Sequence, residues 1–85
     1  MDVYELIRQY DRHNPNGHYF DHDTLKFFGE RLSDMRVLKD KVKVRDSSGN
    51  EHIAYCLSHL QRNHPCGKRR KYSYFDHGTF EQIII

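Results

Sequence analysis

No apolar run in this 85-residue chain approaches the roughly 20 residues a membrane-spanning helix needs, which excludes an integral helical membrane protein. The opening residues, Met1-Asp2-Val3-Tyr4-Glu5, lack the charged start and apolar stretch of a signal peptide. The chain is therefore expected in the cytoplasm of the cell that makes it, with no membrane partner. It has only two cysteines, Cys56 and Cys66, and in that compartment they would be reduced, so no disulfide framework is expected. Catalytic signatures are also missing. There is no Ser/His/Asp set with a recognisable elbow, no glycine-rich phosphate loop and no HExxH. A chain of this length makes one domain, 1–85, with little room for a deep substrate pocket. These absences point to a protein that works by binding and not as an enzyme.

What is present is aromatic and strongly polarised. Eleven residues are Tyr or Phe, too many for a disordered segment. The formal net charge is +2, but residues 1–35 carry −3, residues 36–71 carry +7 and residues 72–85 carry −2. Such asymmetry suggests a basic surface on a mildly acidic body, suited to an anionic partner.

Hydrophobic periodicity gives the elements. Val3, Leu6, Ile7 and Tyr10 form the stripe of an amphipathic helix, with Asp2 as its N-cap and Glu5 in the capping-box position. Asn14-Pro15-Asn16-Gly17 stops it. A second helix is expected from the Asp21 N-cap, with Phe20 and Leu25 as a hydrophobic staple and Leu25, Phe28, Leu32 and Met35 near one face. Gly29 falls in its middle, where it costs about 1 kcal/mol relative to alanine. From Val37 the period changes to two. Leu38, Val42 and Val44 point one way, and Lys39, Lys41, Lys43 and Arg45 the other.

A loop over Asp46-Ser47-Ser48-Gly49-Asn50 leads to a returning strand, Glu51 to Leu60, with Ile53, Tyr55 and Leu57 inward. A third strand runs near Arg70 to Phe75, ending in a short helical turn or a last extended piece. The expected fold is thus α+β: two N-terminal helices, a three-stranded antiparallel sheet, and a short C-terminal helical turn or strand. Tyr19-Phe20-Asp21-His22-Asp23-Thr24 is echoed by Tyr74-Phe75-Asp76-His77-Gly78-Thr79, which reads as one way of starting a helix used twice.

Two constellations could carry function. Lys39, Lys41, Lys43 and Arg45 recur at roughly 6–7 Å per two residues along a strand, a spacing near that of successive phosphates in an extended nucleic acid. Arg62, Lys68, Arg69, Arg70 and Lys71 follow, with Tyr72 and Tyr74 placed to stack on bases. Together they could bind RNA, DNA or a ribonucleoprotein; the plainer alternative is a solvated face that protects an edge strand from aggregation. Cys56, His59, His64 and Cys66 supply four groups that zinc accepts, but Cys-x2-His-x4-His-x-Cys is not a standard finger. A continuous strand would also put Cys56 and His59 on opposite faces, so a break near His59 is required.

The stretch Gly17-His18-Tyr19-Phe20-Asp21-His22-Asp23-Thr24-Leu25-Lys26-Phe27-Phe28-Gly29 resembles the hallmark of an uncharacterised family of small proteins encoded by bacteriophages and mobile elements of Gram-positive bacteria. Leu57-Ser58-His59-Leu60-Gln61-Arg62-Asn63-His64-Pro65 and Tyr72-Ser73-Tyr74-Phe75-Asp76 are similar too, so the resemblance spans most of the chain. Cys56 and Cys66 depart from the family pattern, so a zinc site would be particular to this chain. The resemblance implies a phage accessory protein that blocks a host machine. An anti-CRISPR inhibitor of an RNA-guided DNA nuclease is the leading expectation, with the host nuclease or ribonucleoprotein as partner.

Overall fold

The computed structural model describes residues 2–16, 19–62 and 65–85. Among the described residues the one α-helix, α1, spans Val3–His13. It begins where the sequence predicts, because the Asp2 side chain accepts a hydrogen bond from the Glu5 backbone N–H at 2.8 Å. Leu6, Ile7 and Tyr10 form its buried stripe.

The expected second helix does not form. Its residues make three two-residue strands, β1 (Phe20–Asp21), β2 (Lys26–Phe27) and β3 (Glu30–Arg31), and then a single 3-10 turn over Leu32–Asp34. Leu25, Phe28 and Gly29 all have positive φ, at 55°, 50° and 80°, and a right-handed helix cannot continue through them. Asp21 was a misleading cap. Its carboxylate does accept from the N–H groups of Asp23 and Thr24, but the bonds close a hairpin loop rather than opening a helix.

Four strands make the main sheet: β4 (Met35–Arg45), β5 (Glu51–Gln61), β6 (Arg69–Asp76) and β7 (Gln82–Ile83), antiparallel and in that spatial order. Strands hold 48% of the described residues, so the fold is one helix with a three-stranded and a four-stranded sheet, not two helices over three strands. The β4–β5 hairpin loop lies where Asp46-Ser47-Ser48-Gly49-Asn50 predicts it. The C-terminal piece is strand β7.

The sequence echo is a repeated loop, not a repeated helix start. In both copies an Asp Oδ1 accepts from the backbone N–H groups two and three residues on: Asp21 from Asp23 and Thr24, Asp76 from Gly78 and Thr79. The fourth residue on, Leu25 or Phe80, donates its N–H to the same Asp carbonyl at 2.8 and 2.9 Å and turns left-handed. The chain then returns as a paired strand, with Asp21 opposite Lys26 and the Asp76 N–H bonded to the Glu81 carbonyl.

These elements give the main sheet two unlike sides. On the inner side Met35, Tyr55, Leu57 and Phe75 pack against Leu6, Ile7 and Tyr10 of α1 and against Phe20 and Phe27 of the small sheet. Tyr10 sits edge-on to both Phe27 and Phe75, with ring centroids 5.4 and 5.1 Å apart. Asp11, also buried, accepts from the N–H groups of Tyr19 and Phe20 and so ties α1 to β1. On the outer side of the sheet, no element packs among the described residues. Ile53, expected inward, lies beyond the core and is exposed.

Candidate nucleic-acid interface

Residues directly opposite one another in paired strands project from the same side of a sheet, so the register sorts every candidate side chain. Across the outer side run three rows. Arg36 pairs with Ser58, which pairs with Tyr72; Lys39 with Cys56, which pairs with Tyr74; Val42 with Ala54, which pairs with Asp76. A fourth, shorter row pairs Leu60 with Arg70. In the three full rows the central strand presents only small residues, Ala54, Cys56 and Ser58, all buried beneath their neighbours, while His52 and Leu60 stand at either end of them. Cations stand on the β4 flank and tyrosines on the β6 flank, with strands about 4.8 Å apart and rows about 6.8 Å apart. The Arg70 guanidinium reaches the floor, donating to the Ser58 hydroxyl at 3.4 Å. Tyr72 is 51% exposed, whereas Tyr74 is half-buried. Burial, and then Cys56 beside it, raise the Tyr74 phenol above its ordinary value, so it remains protonated at neutral pH.

The expected basic face along residues 39–45 is divided. Strand β4 carries two register shifts, between Val37 and Lys39 and between Lys39 and Val42, and each inserts an extra residue relative to β5. Lys39 therefore lies on the outer side with Val42, while Lys43 and Arg45 lie opposite Ile53 and Glu51 on the inner side, past the end of the core. Lys41 falls in the second irregular stretch and is exposed. Arg45 pairs with Glu51 at 3.4 Å. The run Lys68-Arg69-Arg70-Lys71 is divided in the same way. Lys68 precedes the strand, Arg69 is opposite Gln61, Arg70 is on the outer side, and Lys71 is opposite His59 on the inner side. Arg62 is engaged with Asp34 through two guanidinium nitrogens, the shortest contact being 2.7 Å; that hydrogen bonding holds the Asp34 carboxyl below its ordinary range. Arg36 was not singled out by strand periodicity because it precedes the alternating stretch; only its register opposite Ser58 shows its place.

The three zinc candidates among the described residues are not arranged as a site. Strand β5 is continuous from Glu51 to Gln61, with no break at His59, so Cys56 faces the outer side and His59 the inner. Cys66 is exposed in the β5–β6 loop, and His64 lies outside the described residues. Among the described residues no group of three or more His, Cys, Asp or Glu is arranged to hold a metal ion.

Among the described residues His52 lies between two aspartates. His52 has Nε2 2.7 Å from Asp46 Oδ2 and Nδ1 3.1 Å from Asp76 Oδ2, an arrangement that suits the doubly protonated ring as donor to both. The hydrogen bond to Asp46, then that to Asp76, raise the His52 pKa. The cluster joins the β4–β5 loop to the β6–β7 loop and acts as a clasp at that end of the sheet.

No family model, curated protein or solved structure matches this chain. Among the described residues, no helix is long and apolar enough to cross a membrane.

Proposed function

We propose that this chain is a non-catalytic binding protein whose working surface is the outer side of the four-stranded sheet, and that the surface takes single-stranded nucleic acid. One observation carries the reading: Arg36, Lys39 and Arg70 share that side with Tyr72 and Tyr74, over a floor of small residues. Cations attract the phosphate backbone, exposed aromatic rings accept bases of any sequence, and the small floor lets the strand lie close. The row spacing of about 6.8 Å suits successive nucleotides of an extended strand. Fluorescence anisotropy with labelled single-stranded DNA and RNA tests the reading. Tyr72→Ala should weaken binding by about 1–3 kcal/mol, the usual worth of one stacked base. Arg36→Glu with Lys39→Glu should abolish it, whereas Lys43→Glu on the other side should do little. Undetectable binding, or equal losses from both sides, sinks the proposal.

A second reading follows from the phage-like segment. Its hairpins expose Tyr19 and Phe28, whose rings lie 4.5 Å apart, together with Leu25. An exposed aromatic pair of this kind suits a protein partner. On this reading the chain inhibits an RNA-guided DNA nuclease, docking through the aromatic pair. DNA cleavage by a panel of guide-loaded nucleases should then fall on adding the protein and recover with Phe28→Ala. Undiminished cleavage throughout removes this reading and leaves the first intact.

A further inference from the structure

Strand β7 lies in register with β6 only at Tyr74 and Phe75, and among the described residues no strand covers the same edge of β6 from Arg70 to Ser73. The Asp76 N–H donates to the Glu81 carbonyl at 2.8 Å, so it points to the β7 side. Backbone groups alternate in direction along a strand, so the N–H and C=O groups of Tyr74, Tyr72 and Arg70 point that way too. Those of Tyr72 and Arg70 lie past the end of β7. The next residue of the chain is engaged elsewhere: the Ile84 carbonyl accepts from the Ser47 N–H of the β4–β5 loop at 2.8 Å. An edge left in this state is a template for another strand. Beside it, on the inner side of the sheet, opens a cavity of about 310 Å³. Phe27, Phe28 and Phe75 give it apolar walls, and Glu30, Lys71 and Ser73 also line it. Phe28 is 50% exposed, so the apolar wall is reached from solvent.

We infer that the open edge of β6 takes an extended acidic peptide segment of a partner protein as an added strand, and that one apolar side chain of this segment fills the cavity. Main-chain hydrogen bonds to Tyr72 and Arg70 hold the strand, and the cavity selects among alternate side chains. The added strand continues the lane of β7, antiparallel to β6. Ser73 and Lys71, opposite Leu57 and His59 in register, project to the inner side. The peptide residue opposite Ser73 therefore enters the cavity, and the one opposite Lys71, two places on, meets the exposed ammonium. Glu30 repels an acidic side chain from the cavity itself, so the expected pattern is apolar first and acidic second. Lys68, Arg69 and Arg70, all exposed, extend the positive charge along the same stretch. That charge also decides against a second copy of this chain as the occupant. Both long edges of the main sheet are basic, through Lys39, Lys41, Lys43 and Arg45 on β4 and Arg69, Arg70 and Lys71 on β6. Pairing edge to edge would set cation against cation.

This inference goes beyond the proposed function and does not depend on it, because it uses the edge and inner side of β6 and not the outer side. The probe is the capped peptide acetyl-Thr-Phe-Thr-Glu-Thr-Glu-amide, titrated into the whole chain at low salt and followed by calorimetry and NMR. It should bind saturably, and hydrogen exchange at the Tyr72 and Arg70 amides should then slow at least about tenfold. N-methylation of its second and third threonines, whose N–H groups face Tyr72 and Arg70, should weaken binding at least about tenfold. Replacing its phenylalanine by aspartate should do the same. Lys71→Glu, a change at an exposed residue, should weaken binding several-fold while leaving the spectrum folded. No binding, equal binding of the N-methylated peptide, or unchanged exchange at Tyr72 and Arg70 would overturn the inference. A dimer of the chain in which those two amides are already protected would overturn it as well, by giving the edge to a second copy.

Discussion

Leu25 and Phe80 hold the same left-handed backbone conformation in the two copies of the aspartate loop, yet they are not equivalent residues. Leu25 is 46% exposed and contributes little packing, whereas Phe80 packs on the core and stacks on Tyr55 with ring centroids 5.9 Å apart. A non-glycine residue in this conformation costs roughly 1–2 kcal/mol. Leu25→Gly should therefore stabilise the fold by up to about 1 kcal/mol, after the added unfolded-state entropy is subtracted, while Phe80→Gly should destabilise it. Urea unfolding of the two variants checks the contrast. His52 makes stability depend on pH. Its pKa is raised above 6.5 in the folded chain, so its contribution is complete below about 6.5 and drains away as pH rises through the folded value. Hydrogen bonds to His52 for Asp46, and to the Thr79 backbone for Asp76, lower those carboxyls below 3.8. Their share is present above that value and is lost as pH falls through the lowered ones. Thermal melts should show a decline in Tm as pH rises above about 6.5 that His52→Gln flattens.

At the scale of elements, α1 and the two long hairpin strands were legible, because a stripe, an N-cap and a change of period are local signals. The region 21–35 was not. An Asp side chain bonded two and three residues ahead begins a helix or closes a four-residue hairpin loop equally well, and the spacing of Leu25, Phe28, Leu32 and Met35 mimics a helical face. The left-handed turns at Leu25 and Phe28 leave no mark in the residue types; Gly29 alone hinted at the break. Nor do the two bulges of β4 show in the run from Lys39 to Arg45, which keeps its alternation on paper while the strand changes sides in space. Tyr72, Tyr74, Arg70 and Lys39 were named together from the sequence, and the register keeps them on one side of the sheet; Arg36 needed that register to be seen beside them. Asp11 adds hydrogen bonds to the aromatic packing that holds the helix against the small sheet. Asp11→Ala leaves the buried Phe20 N–H without its acceptor, and it should lower stability by about 1–3 kcal/mol in urea unfolding.

At the scale of the whole molecule, the uneven charge along the chain resolves into a few cations on the outer side and others spent elsewhere, such as Arg62 on Asp34 and Arg45 on Glu51. If Arg36, Lys39 and Arg70 each neutralise one phosphate, the logarithm of the affinity for a single strand should fall with the logarithm of salt with a slope of about −2. Raising salt from about 50 to 200 mM should then weaken binding about 20-fold, measured by anisotropy. A slope near zero argues against a phosphate-led surface.

Strand β5 sends Tyr55 and Leu57 into the core and Ala54, Cys56 and Ser58 to the opposite side, alternating residue by residue. One strand thus faces two ways: every second position answers to folding, and the positions between set the floor of the surface proposed to bind. Ligand preference could therefore drift through single substitutions at 54, 56 or 58 and their flanking rows while the architecture stays intact.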